Sequence, residues 1–282
     1  MVENRPFLTG LTHVFIWLGI VIVVLPIYIA FVASTHPLID LLRAPIPYLP
    51  GKDLIHNYIT VIKNGFAATG GEPIWPMMWN SFVMALGIAV GKIFVSILSA
   101  FAVVYFRFPL RNFFFWLIFI TLMLPVQVRI LPTFEVAASL HLLNTYTGLT
   151  LPLIASATAT FLFRQFFLTV PGELVEAARM DGASPMRFFW DILLPLSKTN
   201  IAALFIIMFI YGWNQFLWPL VITTKSSMTT IVMGIEKLAN IADQIPQWNY
   251  IMATVILAML PPVIIVVFMQ RLFVKGLIET EK

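Results

Sequence analysis

Residues 14–33 read VFIWLGIVIVVLPIYIAFVA, twenty positions without a charged side chain. A helix rises about 1.5 Å per residue, so a run of this length crosses the roughly 30 Å hydrocarbon core of a bilayer. Comparable runs recur near 80–106, 113–131, 145–164, 201–222 and 250–270, which predicts six transmembrane helices. Strands of a membrane β-barrel would be about ten residues long with alternating polarity, and these runs have neither property. The first run is about twice a signal-peptide core and ends without a small-residue cleavage pattern, so it reads as a retained span. Residues 1–282 are expected to form one all-α, polytopic membrane domain.

Composition supports the same class. The chain is 60% hydrophobic and 11% charged, against about 45–50% and 25% in soluble domains, which excludes a soluble globular fold. There is no cysteine, hence no disulfide, thiolate metal site or cysteine nucleophile. The four histidines, at 13, 36, 56 and 141, are scattered, and neither a zinc-protease spacing nor a nucleophile elbow occurs, so no metal or catalytic site is expected. Gly87 to Ile93 superficially suggests a phosphate loop, but only three residues separate its glycines and Ile93 follows Lys92 where Ser or Thr is required. No nucleotide site or other bound cofactor is expected, and energy for any transport must come from elsewhere.

The formal charge of +4 speaks to topology rather than to nucleic acid. Placing the N-terminus, 107–112, 164–200 and the C-terminal tail on one side collects ten of the seventeen Lys and Arg, including Arg5, Arg107, Arg111, Arg179, Arg187 and Lys282. The other side, with 34–79, 129–144 and 223–249, collects six over a longer length, Arg129 among them. Both termini are therefore expected in the cytoplasm. The Pro- and Gly-rich 34–79 segment reads as an external cap, and 132–144 as a short interfacial helix. Pro26, Pro125, Pro132, Pro152, Pro219, Pro261 and Pro262 are expected to kink or end spans.

The segment 170–195, VPGELVEAARMDGASPMRFFWDILLP, predicts two short helices and a corner. Pro171 suits a first turn, Glu173 and Glu176 complement the positive end of the helix, and Gly182 can adopt the left-handed conformation that closes it. Ser184-Pro185 then caps and opens the second helix. Leu174, Ala177, Ala178 and Asp181 are expected to share one docking face at spacings of three and four.

Glu176-Ala177-Ala178, Gly182, Ile192 and Leu194-Pro195 stand at the spacing of the EAA signature, and the chain thereby resembles permeases of ABC importers. Residues 211–219, YGWNQFLWP, and 142–152, LLNTYTGLTLP, resemble the carbohydrate-type (MalG-like) branch, although Gln215 replaces a glutamate common there. With Gly91-Lys92-Ile93 and Arg107-Phe-Pro-Leu-Arg111, the chain is similar over nearly its whole length to permeases of bacterial sn-glycerol-3-phosphate importers. The resemblance implies a MetI-like fold in the bacterial inner membrane and a coupling helix seated on an ATPase through Glu173, Glu176, Ala177, Ala178, Asp181 and Gly182. It also implies a second homologous permease (UgpA-like) against which the first span packs. Two copies of a cytoplasmic ATPase (UgpC-like) that uses ATP and Mg, and a periplasmic solute-binding protein (UgpB-like), complete the implied set. Sn-glycerol 3-phosphate and glycerophosphodiesters are the implied cargo.

Polar groups at bilayer depth cost several kcal/mol unless they face protein or water. Lys92 lies about midway along the second run, where a cation would pair with a passing phosphate, and Gln215 would spare that anion the repulsion of a glutamate. Asn214, Trp213 and Trp218 complete the candidate path. The competing readings are that Lys92 snorkels or pairs with a neighbouring helix, that Asn214 and Gln215 cross-link helices, and that the tryptophans pack at an interface. Gly87 and Gly91 form a small-xxx-small pair suited to close helix contact. Three alternatives to the phosphate-ester importer remain open at this point: a neutral-sugar permease of the same family, a gradient-driven carrier with Lys92 as its coupling group, and a non-transporting scaffold.

Overall fold

The computed structural model describes residues 6–120, 126–241 and 245–279, and of these the side chains of 10–67, 69–120, 128–241 and 245–270. Arg5, Lys282 and Pro125 lie outside the described residues. In order, the helices are α1 (Pro6–Ser34), α2 (Leu38–Leu41), α3 (Leu54–Lys63), α4 (Ile74–Tyr105), α5 (Arg111–Ile120), α6 (Val126–Ser139), α7 (Tyr146–Thr150), α8 (Ala157–Thr169), α9 (Gly172–Met180), α10 (Pro185–Phe188), α11 (Leu194–Leu196), α12 (Lys198–Trp213), α13 (Leu217–Ile222), α14 (Ile231–Ala239) and α15 (Trp248–Glu279). A π-helical turn, Phe189–Leu193, joins α10 to α11. The described residues contain no strand.

Three helical stretches are singly long and apolar enough to cross a bilayer: Gly10–Ser34, Ile74–Tyr105 and Trp248–Gln270. Two further candidates are bent pairs, Tyr146–Leu153 with Ala157–Thr169 at 50°, and Pro185–Leu196 with Lys198–Trp213 at 72°. Run 113–131 falls on α5 and the start of α6, and its middle, 121–125, lies outside the described residues. The run 201–222 is not one helix: α12 stops at Trp213, and α13 restarts at Leu217 after Asn214, Gln215 and Phe216. Pro26, Pro132, Pro261 and Pro262 lie inside continuous helices rather than ending them. Pro152 instead opens a 3-10 turn, Leu151–Leu153, at the bend of the first pair.

The chain divides into two compact units, one of residues 1–75 and 234–260, the other of 76–233 and 261–282. In the first unit, α1 exposes large apolar side chains from Leu11 to Ile29. Polar contacts cross-link the 34–64 region. Buried Asn57 donates from Nδ2 to the carbonyls of Ser34 at 2.9 Å and His36 at 3.0 Å, and its Oδ1 accepts from Asn249 at 3.3 Å. Thr35 Oγ1 accepts from the Gly51 amide at 2.7 Å. These bonds satisfy backbone groups that a Pro-rich chain cannot pair in a ladder.

The second unit packs around Met84, Ile88, Ile130, Leu149, Leu153, Trp218 and Ile222. Glycines allow close approaches within it. A Cβ on Gly87 would stand 2.8 Å from Thr150 Cγ2, one on Gly91 2.5 Å from Ile154 Cγ2, and one on Gly212 2.8 Å from Ala85 Cα. Asn80 closes one end of the unit: its Nδ2 donates to the carbonyls of Ser227 at 2.8 Å and Thr229 at 3.0 Å, and its Oδ1 accepts from Tyr146 at 2.7 Å. Hydroxyl N-caps start three helices, with Thr145, Ser156 and Ser184 each accepting the amide three residues on, the contact expected of a capping side chain.

Candidate functional site

Two features of the second unit are candidates for function, a surface corner and a cavity. The corner is built by α9 and α10. Glu173 lies in the first turn of α9 and Arg179 in its last, both favourable to the helix dipole. Gly182 adopts φ +69°. Its amide donates to the Arg179 carbonyl at 3.0 Å and that of Ala183 to the Ala178 carbonyl at 2.9 Å, the two bonds of a Schellman cap. Ser184 Oγ then accepts the Arg187 amide at 3.3 Å and Pro185 occupies the first helical turn. The corner expected at Gly182 is therefore present with its capping bonds.

The face of α9 differs from expectation. Ala178 is buried and Val175 half-buried, so they form the inward stripe, whereas Leu174, Ala177 and Asp181 are exposed. Ala178 thus does not share the outward face. The outward stripe is instead Glu173, Glu176, Ala177 and Met180, and Met180 is 83% exposed. The helical offset between 174 and 178 is 400°, about 40° past one full turn, enough to separate exposed from buried at a packing boundary.

Beneath α9 and α10 lies a cavity of about 570 Å³ lined by Phe101, Tyr105, Arg107, Val175, Ala178 and Phe188, among others. Aromatic contacts tie this floor together: the Tyr105 and Phe188 rings are 5.3 Å apart and those of Phe101 and Phe189 5.0 Å. The corner therefore rests on the last turns of α4.

The same helix carries Lys92, thirteen residues before Tyr105 and so about 20 Å along its axis. Lys92 is 7% exposed, and its Nζ lies 3.8 Å from the centroid of the Tyr211 ring on α12, a cation–π contact. Both residues line a cavity of about 610 Å³ with Arg129, Ser99, Ser156, Thr158 and Thr160. No Asp or Glu is among the described residues that line it. Arg129 was legible in the sequence only as one more base in a loop-side tally; the helical register of α6 brings it beside Lys92.

The other residues expected on the path lie elsewhere. Trp218 is 2% exposed and donates from Nε1 to the Gly148 carbonyl at 3.0 Å. Trp213, also 2% exposed, stacks on Phe209 at 5.9 Å. Gln215 donates to the Tyr211 carbonyl at 3.2 Å within the helix break, and Asn214 ends α12. None of these four lines the cavity of Lys92. Gly87 and Gly91 serve close contact, facing Thr150 and Ile154.

Long apolar helices and bent spans define a polytopic helical membrane protein. The family of binding-protein-dependent transport system inner membrane components matches residues 92–279, and the chain belongs to that family. It is 59% identical to the sn-glycerol-3-phosphate transport system permease proteins UgpE of Brucella melitensis biotype 1 and Rhizobium meliloti, in each case over 100% of both chains. The corresponding protein of Escherichia coli O6:K15:H31 is 58% identical over the same extent. Among solved structures, a bacterial ABC transporter involved in the import of the acidic polysaccharide alginate shares the fold, with a TM-score of 0.80 at 19% identity, covering 96% of this chain and 98% of that one. The chain is accordingly a permease subunit of an inner-membrane import system.

Proposed function

We propose that this chain is one half of a heterodimeric permease that imports sn-glycerol 3-phosphate, and glycerophosphodiesters with it, driven by ATP hydrolysis in a separate subunit. The observation that carries the cargo is its 59% identity, end to end, with permeases named for sn-glycerol-3-phosphate transport. An anionic cargo also suits a cavity with two cations and no described carboxylate. The partners in this reading are a second permease, two copies of an ATPase that uses ATP and Mg, and a periplasmic binding protein. The permease itself holds no cofactor, and both of its termini face the cytoplasm.

The coupling segment in this reading is Glu173 to Gly182. The outward stripe of α9 seats on the ATPase, with Glu176 as its acidic contact. Movement of the corner reaches the Lys92 cavity along α4, whose end packs under Phe188. Coupling requires that α9 dock differently in the outward and inward states, since a contact equal in both shifts neither.

The test is ATP-dependent uptake of labelled sn-glycerol 3-phosphate by liposomes containing the complete complex. Wild type is expected to accumulate the label, and Glu176→Ala to lose both uptake and the stimulation of ATP hydrolysis by loaded binding protein. Uptake by the permease without the ATPase would overturn the reading in favour of a gradient-driven carrier.

A further inference from the structure

Lys92 is a buried cation on a span, and its described close partner is the face of an aromatic ring rather than a carboxylate. An ammonium over a phenol ring is held by the ring's quadrupole, and a full negative charge on an anion attracts it more strongly in the same surroundings. The arrangement holds the ammonium in place while leaving its charge available to an anion. Arg129 adds a second cation to the same wall. Ser156 and Thr158 supply hydroxyl-bearing side chains to the lining, and the volume of about 610 Å³ lies in the range of small-molecule sites.

Arg129 also lines a second cavity, of about 420 Å³, with Pro132, Thr133, Val136, Leu140 and Leu151. Apart from Arg129 and Thr133, this wall is apolar, and Arg129 is the charged residue shared by the two cavities. Two cations in one space repel each other, and a doubly charged oxyanion between them removes that repulsion, which a neutral polyol cannot do.

We infer that Lys92 and Arg129 form a two-cation receptor for the phosphate group of the cargo, with Arg129 meeting the anion from the smaller cavity and Tyr211 holding the Lys92 ammonium while the receptor is empty. This rests on the proposed phosphate-ester import and adds the residues that discriminate phosphate from a neutral polyol inside the permease. Cargo affinity at the binding protein lies outside this receptor, so its signature is the amount of cargo moved per ATP hydrolysed.

The experiment measures that ratio in liposomes with the complete complex at saturating loaded binding protein, using sn-glycerol 3-phosphate, for wild type, Arg129→Gln, Arg129→Lys, Lys92→Met and Tyr211→Leu. Arg129→Gln and Lys92→Met are expected to lower the ratio about tenfold, the effect of about 1.4 kcal/mol. Arg129→Lys, which keeps the charge, is expected to recover most of it, and Tyr211→Leu to give a smaller loss. Wild-type ratios in both neutral variants would overturn the receptor while leaving glycerol-phosphate import standing. A loss in Arg129→Gln that Arg129→Lys does not relieve would likewise overturn it, since a packing role is indifferent to charge. Absence of uptake by the wild-type complex would overturn the import reading itself.

Discussion

The indole Nε1 of Trp218 donates to the main-chain carbonyl of Gly148 at 3.0 Å, tying α13 to α7 in the interior of the second unit. Gly148 has no room for a side chain, because a Cβ there would press on the Leu142 carbonyl. The bond joins two segments, 142–152 and 211–219, that the sequence singles out as motifs. It links the helix that restarts after the 214–216 break to the helix that precedes the 50° bend. Trp218→Phe keeps most of the ring and removes the donor, leaving a buried carbonyl short of its partner, at a cost of about 1–3 kcal/mol. Denaturation of the purified chain in mixed micelles is expected to show that loss, with transport per assembled complex unchanged. A normal stability with altered cargo preference would instead put Trp218 on the path.

The glycines of the second unit differ in what a methyl group would strike, and that orders their tolerance. At Gly212 the obstacle is the Cα of Ala85, at 2.8 Å, which moves only if α4 moves. At Gly91 it is Cγ2 of Ile154, at 2.5 Å, a branch fixed close to its own backbone. Gly212→Ala and Gly91→Ala are each expected to destabilise by about 1–3 kcal/mol. Ile154→Ala should relieve Gly91→Ala and leave Gly212→Ala unrelieved. Gly19 on α1 has nothing within 4 Å of a built Cβ, so Gly19→Ala should cost nothing. Chemical denaturation of the five variants in the same micelles checks the order.

How far these features were legible follows from the kind of information each needs. The bilayer-length runs declare themselves through composition, and the Gly182 corner through residue types with few conformational alternatives: glycine at positive φ, serine as N-cap, proline after it. Bends depend on geometry that composition does not encode. Residues 201–222 look continuous because Asn214 and Gln215 are too few to interrupt an apolar average, yet α12 ends there. The 72° bend before α12 occurs at Ser197, where Oγ donates to the Leu193 carbonyl at 2.6 Å, just after the proline of the signature has withheld its amide. Arg129 escaped for a related reason: its charge suggested a membrane face, whereas its position beside Lys92 depends on how α6 is rotated against α4.

Gly182 provides a conformational test of the corner independent of packing. Its φ of +69° is in the left-handed region, and nothing lies within 4 Å of a built Cβ, so any cost of substitution is backbone strain rather than collision. An ordinary residue held there costs about 1–2 kcal/mol, a β-branched one more, and asparagine least. Gly182→Val is therefore expected to damage assembly with the ATPase or coupled transport, while Gly182→Asn keeps most of both. Co-purification of the ATPase and uptake per ATP, measured on the two variants side by side, check this. Equal behaviour of Val and Asn would remove the left-handed corner from the coupling path.

In the proposed docking of α9, Met180 extends the contact beyond the acidic signature. It is 83% exposed at the last turn of α9, on the same face as Glu173, Glu176 and Ala177, and just before the Schellman cap fixes the direction of the chain. An unbranched thioether there can follow the partner surface through a change of state, since it fills irregular gaps with little strain. Burying it would contribute about 1.5–3 kcal/mol, more than the roughly 0.2–1 kcal/mol of an exposed acidic contact. Met180→Asp would place a new carboxylate against that surface and remove the apolar term, and is expected to release the ATPase from the purified complex with the permease fold retained. Met180→Leu keeps apolar volume and should retain binding. Circular dichroism of the permease together with ATPase co-purification separates loss of fold from loss of docking. Full retention of the ATPase by Met180→Asp would confine the interface to the acidic residues of the helix.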